Sequence, residues 1–481
     1  MTSKTPQFSA SSDDASPGQK RARERTSNWR KQKGTEESIA ENQPLSLGDL
    51  PNDDEAERYA QGEQQEGQAQ DGENRQKRSL QNLDERAFGR GERELSDLMV
   101  RALDAQREVV DDDLTHGLHA WPARMHHQIS RTLLAGMDLA GKVVLDPFAG
   151  SGTVLVESLV KGVPSIGVDL NPLAQRVARA KCRVANDDEA EAFIKTVSRV
   201  TERSKDRVRN KVDIRAPLNE EETENYMPHV LKELAGLFVE IEAEKDKQQK
   251  RLLKTLFSSL VVKFSRMRSD TDMRFVDKNI GRFIPSEFFE QKGKEWAQAW
   301  HALDDKAQKP FVHPLILEGS ATELTEVLGK KKSHPHLAKQ KPNIVITSPP
   351  YAGTYDYVDH HLRRTAWLGL DMNEFGSDEI GARRNLSWTE DQEDAKQKKL
   401  RWDTEVKAYL QAIFDVCDDD VVVFLLVGDG RIGRTLIPAD KHLDRVAPEV
   451  GFKLAAVASA RRPDFTGKFG RFEHLIALRK A

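Results

Sequence analysis

The spacing of hydrophobic residues changes along the chain, and each change predicts a different kind of structure. From Glu94 the apolar positions follow helical spacing through ELSDLMVRALDAQREVV, and further on short apolar runs alternate with helical stretches. VVLD (Val143–Asp146) and SIGVDL (Ser165–Leu170) predict strands on either side of a glycine-rich turn and a helix that ends at Gly162. A strand, a helix and a second strand in this order indicate a parallel sheet with right-handed crossovers.

A long helical stretch interrupts this alternation between about Asp187 and Trp300. The strand and helix pattern resumes at HPLILEGSATEL, NIVITSPPY and DVVVFLLVGDG, and FKLAAVASAR and FEHLIALRK predict two closing strands. We therefore predict an α/β fold, a doubly wound (Rossmann-like) sheet with a mostly helical insertion and a disordered N-terminal tail. The predicted division is a tail over 1–93, the first part of the α/β domain over 94–186, the insertion over 187–310 and the second part of the α/β domain over 311–481.

The tail is predicted from its composition. In a chain of 481 residues with mean hydropathy −0.65, the residues up to about Gly91 are especially rich in Gln, Glu, Asp, Ser and Arg. A segment with so few apolar residues cannot bury enough surface to offset the entropy cost of ordering. Its basic patches, Lys20–Arg25 and Arg30–Lys31, are either part of a solvated tail or contacts to nucleic acid. Because the formal net charge is −4, any nucleic-acid surface must be a local patch.

Several classes of protein are disfavoured. The two cysteines, Cys182 and Cys417, are far apart, which excludes a disulfide framework and a cysteine-rich metal site. No apolar run approaches a membrane span and no signal peptide opens the chain, so we expect a cytoplasmic protein, associated with the nucleoid if prokaryotic. We interpret His360 and His361 as surface histidines, since no other ligands have suitable spacing, and we predict no metal.

The turn DPFAGSGT (Asp146–Thr153) predicts a ligand site, because glycines between a strand and a helix let a ligand approach the backbone. A P-loop would need a lysine where Thr153 stands, and a dinucleotide fingerprint would need a glycine where Leu155 stands. S-adenosylmethionine fits better, because its cationic groups favour a carboxylate such as that of Asp146. A purely structural turn is the alternative.

The next predicted strand supports the cofactor hypothesis. GVDLNP places Asp169 at the end of the strand, about 20 residues after the turn, where doubly wound nucleotide sites carry an acid for the ribose. A carboxylate accepts hydrogen bonds from two hydroxyl groups at once.

A third motif ends the strand Ile344–Thr347 with SPPY, which is Ser348, Pro349, Pro350 and Tyr351. Proline fixes the backbone and removes donors, so carbonyl groups at this corner would be fixed acceptors. Such acceptors can hold both hydrogens of an exocyclic amino group and aim its lone pair at an electrophilic methyl. Tyr351 could stack on a base that has left its duplex.

These three motifs together resemble the amino-group DNA methyltransferases, which modify cytosine N4 or adenine N6. The resemblance covers about Leu118 to the C-terminus, apart from much of the insertion, and HAWPARM (His119–Met125) is similar to a further cofactor segment of the family. It implies S-adenosyl-L-methionine as the cofactor and duplex DNA with a flipped base as the substrate. The catalytic residues it implies are those of SPPY, and the implied cofactor residues are Asp146, Pro147, Phe148, Ala149, Gly150, Gly152, Thr153, Asp169, Leu170, Asn171, Ser320, Trp121 and Pro122.

Two positions depart from the family pattern. Ser320 stands where members often carry an acidic residue near the adenine ring, and Trp121 replaces a tyrosine. Ser348 at the first position of SPPY resembles the cytosine-N4 branch, whereas adenine-N6 members commonly carry Asp or Asn. We therefore favour cytosine N4, with adenine N6 as the alternative.

Target recognition is predicted in the insertion. KFSRMRSDTDMRFVDKNIGR (Lys263–Arg282) mixes basic residues with two phenylalanines, and basic side chains position phosphates. The candidates for nucleic-acid binding are Arg266, Arg268, Arg274, Lys278 and Arg282. Aspartates among them also allow an internal salt-bridge network. An RNA or tRNA amino-group methyltransferase and a DNA-binding protein with a degenerate methyltransferase fold are the remaining alternatives.

Overall fold

The computed structural model describes residues 86–108, 112–268, 274–276, 278–330, 337, 340–387, 391–462 and 471–481. The first 85 residues, with the basic patches Lys20–Arg25 and Arg30–Lys31, lie outside the described residues. Strand β1 (Phe88–Gly91) falls inside the segment predicted as tail, and it pairs antiparallel with β9. The boundary predicted at residue 93 is therefore too late, because this short exposed strand has little hydrophobic signal of its own.

An eight-stranded sheet forms the centre of the molecule, in the order β1-β9-β10-β6-β5-β2-β3-β4. Strands β6, β5, β2, β3 and β4 run parallel, whereas β10, β9 and β1 extend the sheet antiparallel beside β6. The remaining bounds are β2 (Val144–Asp146), β3 (Ser165–Asp169), β4 (Leu315–Glu318), β5 (Ile344–Thr347), β6 (Val422–Gly428), β9 (Phe452–Arg462) and β10 (Arg471–Lys480).

Helices cover both faces of this sheet. Along the fully buried β5, Val345 belongs to one core, while Ile344 and Ile346 belong to the core on the other face. Because side chains alternate along a strand, this central strand is apolar on both faces, as parallel strands between two helical layers are. The helices outside the insertion are α1 (Arg93–Glu108), α2 (His127–Ala135), α3 (Thr153–Val160), α4 (Pro172–Lys181), α10 (Leu324–Gly329), α11 (Tyr357–Leu368), α12 (Asn373–Asp378), α13 (Arg383–Leu386), α14 (Gln392–Val416) and α15 (Ala439–Val446).

The insertion between α4 and β4 builds a second helical core. Its helices are α5 (Asp187–Arg209), α6 (Glu220–Thr223), α7 (Pro228–Glu242), α8 (Lys247–Leu260) and α9 (Ile284–Lys306). Leu118, Trp121 and Trp367, from outside the insertion, pack in the same core. The predictions of a doubly wound sheet and a mostly helical insertion are confirmed, and the insertion is joined to the sheet by shared packing.

A small two-stranded hairpin follows β6, formed by β7 (Gly430–Ile432) and β8 (Thr435–Ile437). Within the described part of the chain, no helix is both long enough and apolar enough to cross a membrane.

Candidate active site at the carboxyl edge of the sheet

The sheet reverses its direction of winding between β2 and β5, which are neighbours although far apart in sequence. In doubly wound sheets, the crevice beyond the carboxyl ends of two such strands is the usual ligand site. The two strand ends are linked here, because Thr347 Oγ1 donates a hydrogen bond of 2.6 Å to Asp146 Oδ1. The glycine-rich turn after β2 and the SPPY corner after β5 therefore begin next to each other.

A cleft of about 910 Å³, including its open mouth, lies at this edge. Its lining includes most of the predicted site residues, namely Trp121, Pro122, Asp146, Pro147, Phe148, Ala149, Gly150, Thr153, Asp169, Leu170, Asn171, Ser320, Ser348 and Pro350. Of the predicted cofactor and catalytic residues, Gly152, Pro349 and Tyr351 do not line it.

Hydrogen bonds to Asp169, at the end of the neighbouring strand β3, fix the conformation of the glycine-rich turn. Gly150 N–H donates to Asp169 Oδ2 at 2.8 Å, and Asn171 N–H donates to Asp169 Oδ1 at 2.8 Å. Gly152 has a left-handed backbone (φ 85°), and a Cβ at this position would lie 2.9 Å from the side chain of Ala178. Gly152 therefore serves the close packing of α3 on α4, which explains why it does not face the cleft.

Burial perturbs both acids of the cleft. It raises the pKa of Asp146 to about 7, and the hydrogen bonds from Thr347 and Phe148 only partly oppose this. Burial likewise raises the pKa of Asp169 to about 6, against the two backbone donors. Such carboxyls favour a ligand that brings positive charge or hydroxyl donors, because either would stabilise the ionised form.

Two hydroxyl groups beside these acids have no hydrogen-bond partner in the described part of the chain. Ser151 Oγ and Thr153 Oγ1 are both buried, and both residues line the cleft at the start of α3. A helix N-terminus offers backbone N–H donors and a partial positive charge, which favour an anionic group. The site therefore presents acids and anion-binding donors close together, and an amino acid moiety with both charges fits this donor set.

The opposite wall of the cleft is built by Trp121–Met125. The Trp121 ring stacks on His361, with ring centroids 4.3 Å apart, and a Cβ on Gly150 would lie 3.2 Å from Trp121 Nε1. The interpretation of His361 as a surface histidine is wrong, since this side chain is fully buried. Burial lowers the pKa of His361 well below its usual value, so a neutral ring supports Trp121.

Ser320 lies on the cleft after β4, at the predicted position. Its hydroxyl group pairs with Thr322 Oγ1 at 2.8 Å and accepts from Thr322 N–H at 3.3 Å. The Ser320 hydroxyl group therefore uses part of its hydrogen-bonding capacity within its own loop. A carboxylate at this position would offer more acceptor sites to a ligand.

The SPPY corner places acceptors at the cleft. Ser348 and Pro350 line it, and Pro349 is buried behind them. Within the described residues, no hydrogen bond reaches the carbonyl groups of Ser348 or Pro349. These carbonyls are fixed by the two proline rings and remain able to accept from a ligand.

Tyr351 does not line the cleft. Its ring packs so closely on Gly428 that a Cβ there would lie 2.7 Å from the ring, and its hydroxyl donates to Glu473 Oε1 at 3.2 Å. The ring is half-buried, and these contacts fix its plane beside the corner.

Further residues that line the cleft follow SPPY in the chain and were not predicted from the sequence. They include Tyr357, Phe375, Asp378 and Glu379. Burial raises the pKa of Glu379 to about 7, although Arg384 donates to it. The YDYVDHH stretch carried aromatic residues that could have suggested Tyr357, whereas nothing local in the sequence marks Glu379.

The predicted nucleic-acid residues of the insertion take part in contacts within their own segment. Lys278 Nζ donates to the carbonyls of Lys263 and Met267 at 2.9 and 2.7 Å. Arg266 lies over the Phe275 ring at 5.2 Å, and Arg282 lies over the Phe283 ring at 4.7 Å. Arg268 and Arg274 are joined by a backbone hydrogen bond of 3.1 Å, and the interspersed aspartates lie outside the described residues.

Comparison with curated proteins finds type II methyltransferases. The chain is 22% identical over 416 residues to the type II methyltransferase M.BsoBI of Geobacillus stearothermophilus, a match that covers 71% of this chain and 79% of the relative. It is 26% identical over 245 residues to M.AvaI of Nostoc sp., covering 47% of this chain and 48% of the relative. A short match to M.MvaI of Kocuria varians is 40% identical over 72 residues, covering 14% of this chain and 16% of the relative.

No family model matches the chain. Among solved structures, the rRNA methyltransferase aviRa from Streptomyces viridochromogenes aligns with 11% identity and a TM-score of 0.29, covering 76% of this chain and 90% of that one. This TM-score is too low to support an inference. The relatives with type II methyltransferase names agree with the resemblance found from the sequence motifs.

Proposed function

We infer that this chain, an S-adenosylmethionine-dependent methyltransferase of the amino-group type, methylates an exocyclic amino group of a base in DNA. We further propose that the target is cytosine N4, and that the enzyme acts at specific sites as the modifying partner in a restriction-modification system. The names of the type II relatives support a DNA substrate.

One observation carries the proposal, which is the hydrogen bond of 2.6 Å between Thr347 and Asp146. This bond connects the end of β5, which leads into SPPY, to the end of β2, which leads into the glycine-rich turn, so both motifs border one cleft. A methyl donor on one side and an amino acceptor on the other would therefore lie next to each other, without a large movement of either element.

The residues of the cleft fit the methyl donor. Asp146 would face the cationic amino acid moiety, Asp169 would accept from the ribose hydroxyls, and Ser151 and Thr153 would donate to the carboxylate. When bound, S-adenosylmethionine supplies an electrophilic methyl group. Trp121, supported by the buried ring of His361, would form the apolar wall on which the cofactor rests.

The corner would prepare the amino group of the base. The carbonyls of Ser348 and Pro349 would accept from its two hydrogens, which favours a pyramidal nitrogen whose lone pair points into the cleft. The fixed ring of Tyr351 would stack on the extruded base, at the side remote from the cofactor. No cysteine nucleophile is needed, because the amine itself attacks, and both Cys182 and Cys417 are buried.

Cytosine N4 is favoured over adenine N6 by the serine at the start of SPPY. A serine hydroxyl is a weaker acceptor than a carboxylate, and the choice of base rests on the resemblance of Ser348 to the cytosine-N4 branch. The 187–310 insertion would supply target recognition through Arg266, Arg268, Arg274, Lys278 and Arg282.

The test is methyl transfer from labelled S-adenosylmethionine to unmethylated plasmid DNA, followed by sequencing that detects modified bases. We expect label in DNA, at the N4 position of cytosine, in a defined sequence context. Label at adenine N6 would overturn only the choice of base. Label in RNA alone would favour the RNA methyltransferase, and cofactor binding without transfer would favour a non-catalytic DNA-binding protein.

Variants of the corner should separate catalysis from cofactor binding. Ser348→Ala removes the side-chain hydroxyl at the corner and Tyr351→Ala removes the stacking ring, so each should lower the rate of methyl transfer at least about tenfold. The Kd for S-adenosylmethionine, measured by calorimetry, should change little. Tyr351→Phe keeps the ring and removes the hydroxyl that donates to Glu473, so it should retain most of the activity. Full activity of Tyr351→Ala on duplex DNA would overturn the stacking role.

A further inference from the structure

Three loops at the carboxyl edge of the sheet are joined by backbone hydrogen bonds into one unit, called here the corner platform. Its members are residues 348–356, which contain SPPY, residues 379–386, and the hairpin 429–437. Gly353 N–H donates to the Gly381 carbonyl at 3.1 Å, and Gly433 N–H donates to the Leu386 carbonyl at 3.1 Å. A Cβ on Gly353 would lie 2.2 Å from the carbonyl oxygen of Arg431, so the hairpin and the corner are in direct contact.

Two arginines are fastened to this platform by their backbone. Arg431 N–H donates to the Ala352 carbonyl at 3.0 Å, and Arg383 N–H donates to the Tyr355 carbonyl at 3.0 Å. Ala352 and Tyr355 lie immediately after the SPPY corner, on either side of a single turn. The positions of Arg383 and Arg431 are therefore set relative to the corner, not by a flexible loop.

Their side chains point outward without carboxylate partners. Both residues are exposed, and among the described residues neither guanidinium group makes a hydrogen bond, an ion pair or a ring contact. The adjacent Arg384 behaves differently, since it donates to Glu379 and Asp356 inside the platform and to the Gly376 carbonyl just before it. The platform thus uses Arg384 for its own cohesion and leaves the guanidinium groups of Arg383 and Arg431 exposed to solvent, whereas Arg434, also exposed, has an interaction of its own.

The acids of the platform are turned inward. Asp429 accepts from the N–H groups of Ala439 and Phe472 and contacts His474, and Glu379 and Asp356 contact Arg384. Asp378 is the exposed carboxylate at the cleft. In a chain of net charge −4, two outward cations next to the proposed base site make a local positive surface.

We propose that Arg383 and Arg431 bind the phosphates that flank the target nucleotide, on the DNA strand whose base enters the cleft. This rests on the proposed DNA methyltransferase function and adds an interface outside the insertion. A base that leaves the duplex must carry its own phosphodiester links to the SPPY corner, and the backbones of these two exposed arginines are bonded to the loop that follows this corner. Phosphate contacts of this kind position the strand and carry no sequence preference.

The test compares binding of the full chain to a fluorescein-labelled duplex of 30 base pairs over a range of KCl concentrations. Each lost phosphate contact should reduce the slope of log affinity against log salt by about 0.9. Arg383→Gln and Arg431→Gln should each show this loss, and the double variant should lose about twice as much. The change in affinity between 50 and 200 mM salt should then fall about 3.5-fold for each contact.

Arg101→Gln is the matched control, because Arg101 is an exposed arginine of α1 with no side-chain partner among the described residues. Its salt slope should equal that of the unchanged chain. The Kd for S-adenosylmethionine should be the same in all variants, which shows that the fold is intact.

The outcomes separate this inference from the proposed function. An unchanged salt slope in the double variant would overturn the phosphate contacts, whether or not plasmid DNA is methylated. A reduced slope, together with failure of the unchanged chain to methylate plasmid DNA, would support the interface and count against the DNA methyltransferase function. A reduced slope for a single-stranded RNA of 30 nucleotides, without one for the duplex, would also overturn the proposal as stated.

Discussion

Asp146 is the residue at which the two halves of the proposed site are joined. It ends β2, accepts from Thr347 at 2.6 Å and from Phe148 N–H at 3.2 Å, and leaves its second oxygen for a ligand. Because both donors are neutral, they lower the pKa less than burial raises it, and the pKa remains at about 7. Its protonation therefore changes within the physiological range and is linked to the binding of a cation.

Cofactor affinity should depend on pH for this reason. Below pH 7, Asp146 holds a proton that a cationic ligand must displace, so the Kd for S-adenosylmethionine should fall about tenfold between pH 6 and pH 8 for one released proton. Calorimetry in buffers of different ionisation enthalpy would measure the proton release directly. Asp146→Asn should weaken binding at pH 8 and flatten the profile, whereas an equal profile in both proteins would contradict the assignment. Asp169→Ala should also weaken cofactor binding.

Without cofactor, the free energy of unfolding should decrease as the pH rises, whereas cofactor affinity should increase. Between the ordinary pKa of 3.8 and about 7, Asp146 binds more protons in the folded than in the unfolded state. Asp169 does the same up to about 6. These two carboxyls therefore lower the free energy of unfolding as the pH rises through that window, and bound cofactor would remove the penalty.

At the scale of elements, the corner depends on loops that pack backbone against backbone. Gly353 has a left-handed backbone (φ 60°) with the Arg431 carbonyl where a Cβ would be, and Gly369, which ends α11, has nearly the same φ (61°) with open space around it. The two positions therefore differ only in what a new methyl group would meet.

Gly353→Ala should damage the corner platform far more than Gly369→Ala. Each substitution strains a left-handed backbone by about 1 kcal/mol, but only the first also forces the SPPY loop away from β7. We expect Gly353→Ala to lower methyl transfer at least about tenfold and Gly369→Ala to keep most of the activity. Thermal unfolding would check that both proteins fold. Equal activity of the two variants would show that the contact with Arg431 does not support the corner.

At the scale of the whole molecule, the insertion and the sheet share the wall of the cofactor cleft. Trp296 Nε1 of α9 donates to the Leu118 carbonyl at 2.9 Å, just before the Trp121–Met125 wall. Trp300 Nε1, one turn later, donates to the Ala180 carbonyl at 2.7 Å, away from the cleft. His119 Nε2 lies 2.9 Å from Ser258 Oγ of α8, which is a second link.

Trp296→Phe and Trp300→Phe therefore form a matched pair. Both tryptophans are fully buried and each change removes one indole hydrogen bond, so each should lower the free energy of unfolding, by about 1–3 kcal/mol. Only Trp296→Phe should also raise the Kd for S-adenosylmethionine, because only this variant loosens the segment that precedes the wall. A similar Kd in both variants would mean that the insertion does not support cofactor binding.

The sequence by itself determined the local parts of this protein. A run rich in β-branched residues such as Ile344–Thr347 forms a buried strand that is covered on both faces. The glycines of DPFAGSGT favour a turn whose positive φ angles would strain other residues. The spacing of hydrophobic residues likewise gave the helical insertion. These features depend on near neighbours along the chain, so periodicity and residue type were enough to predict them.

Only the tertiary structure decided which of these parts meet. The bond between Thr347 and Asp146 joins residues 201 positions apart, and the burial of His361 follows from its stacking on Trp121. The same holds for Tyr351, which turns toward Glu473, and for Arg383 and Arg431, which the platform sets beside the corner. Such pairings depend on strand order and on packing between distant segments, and no local pattern encodes them.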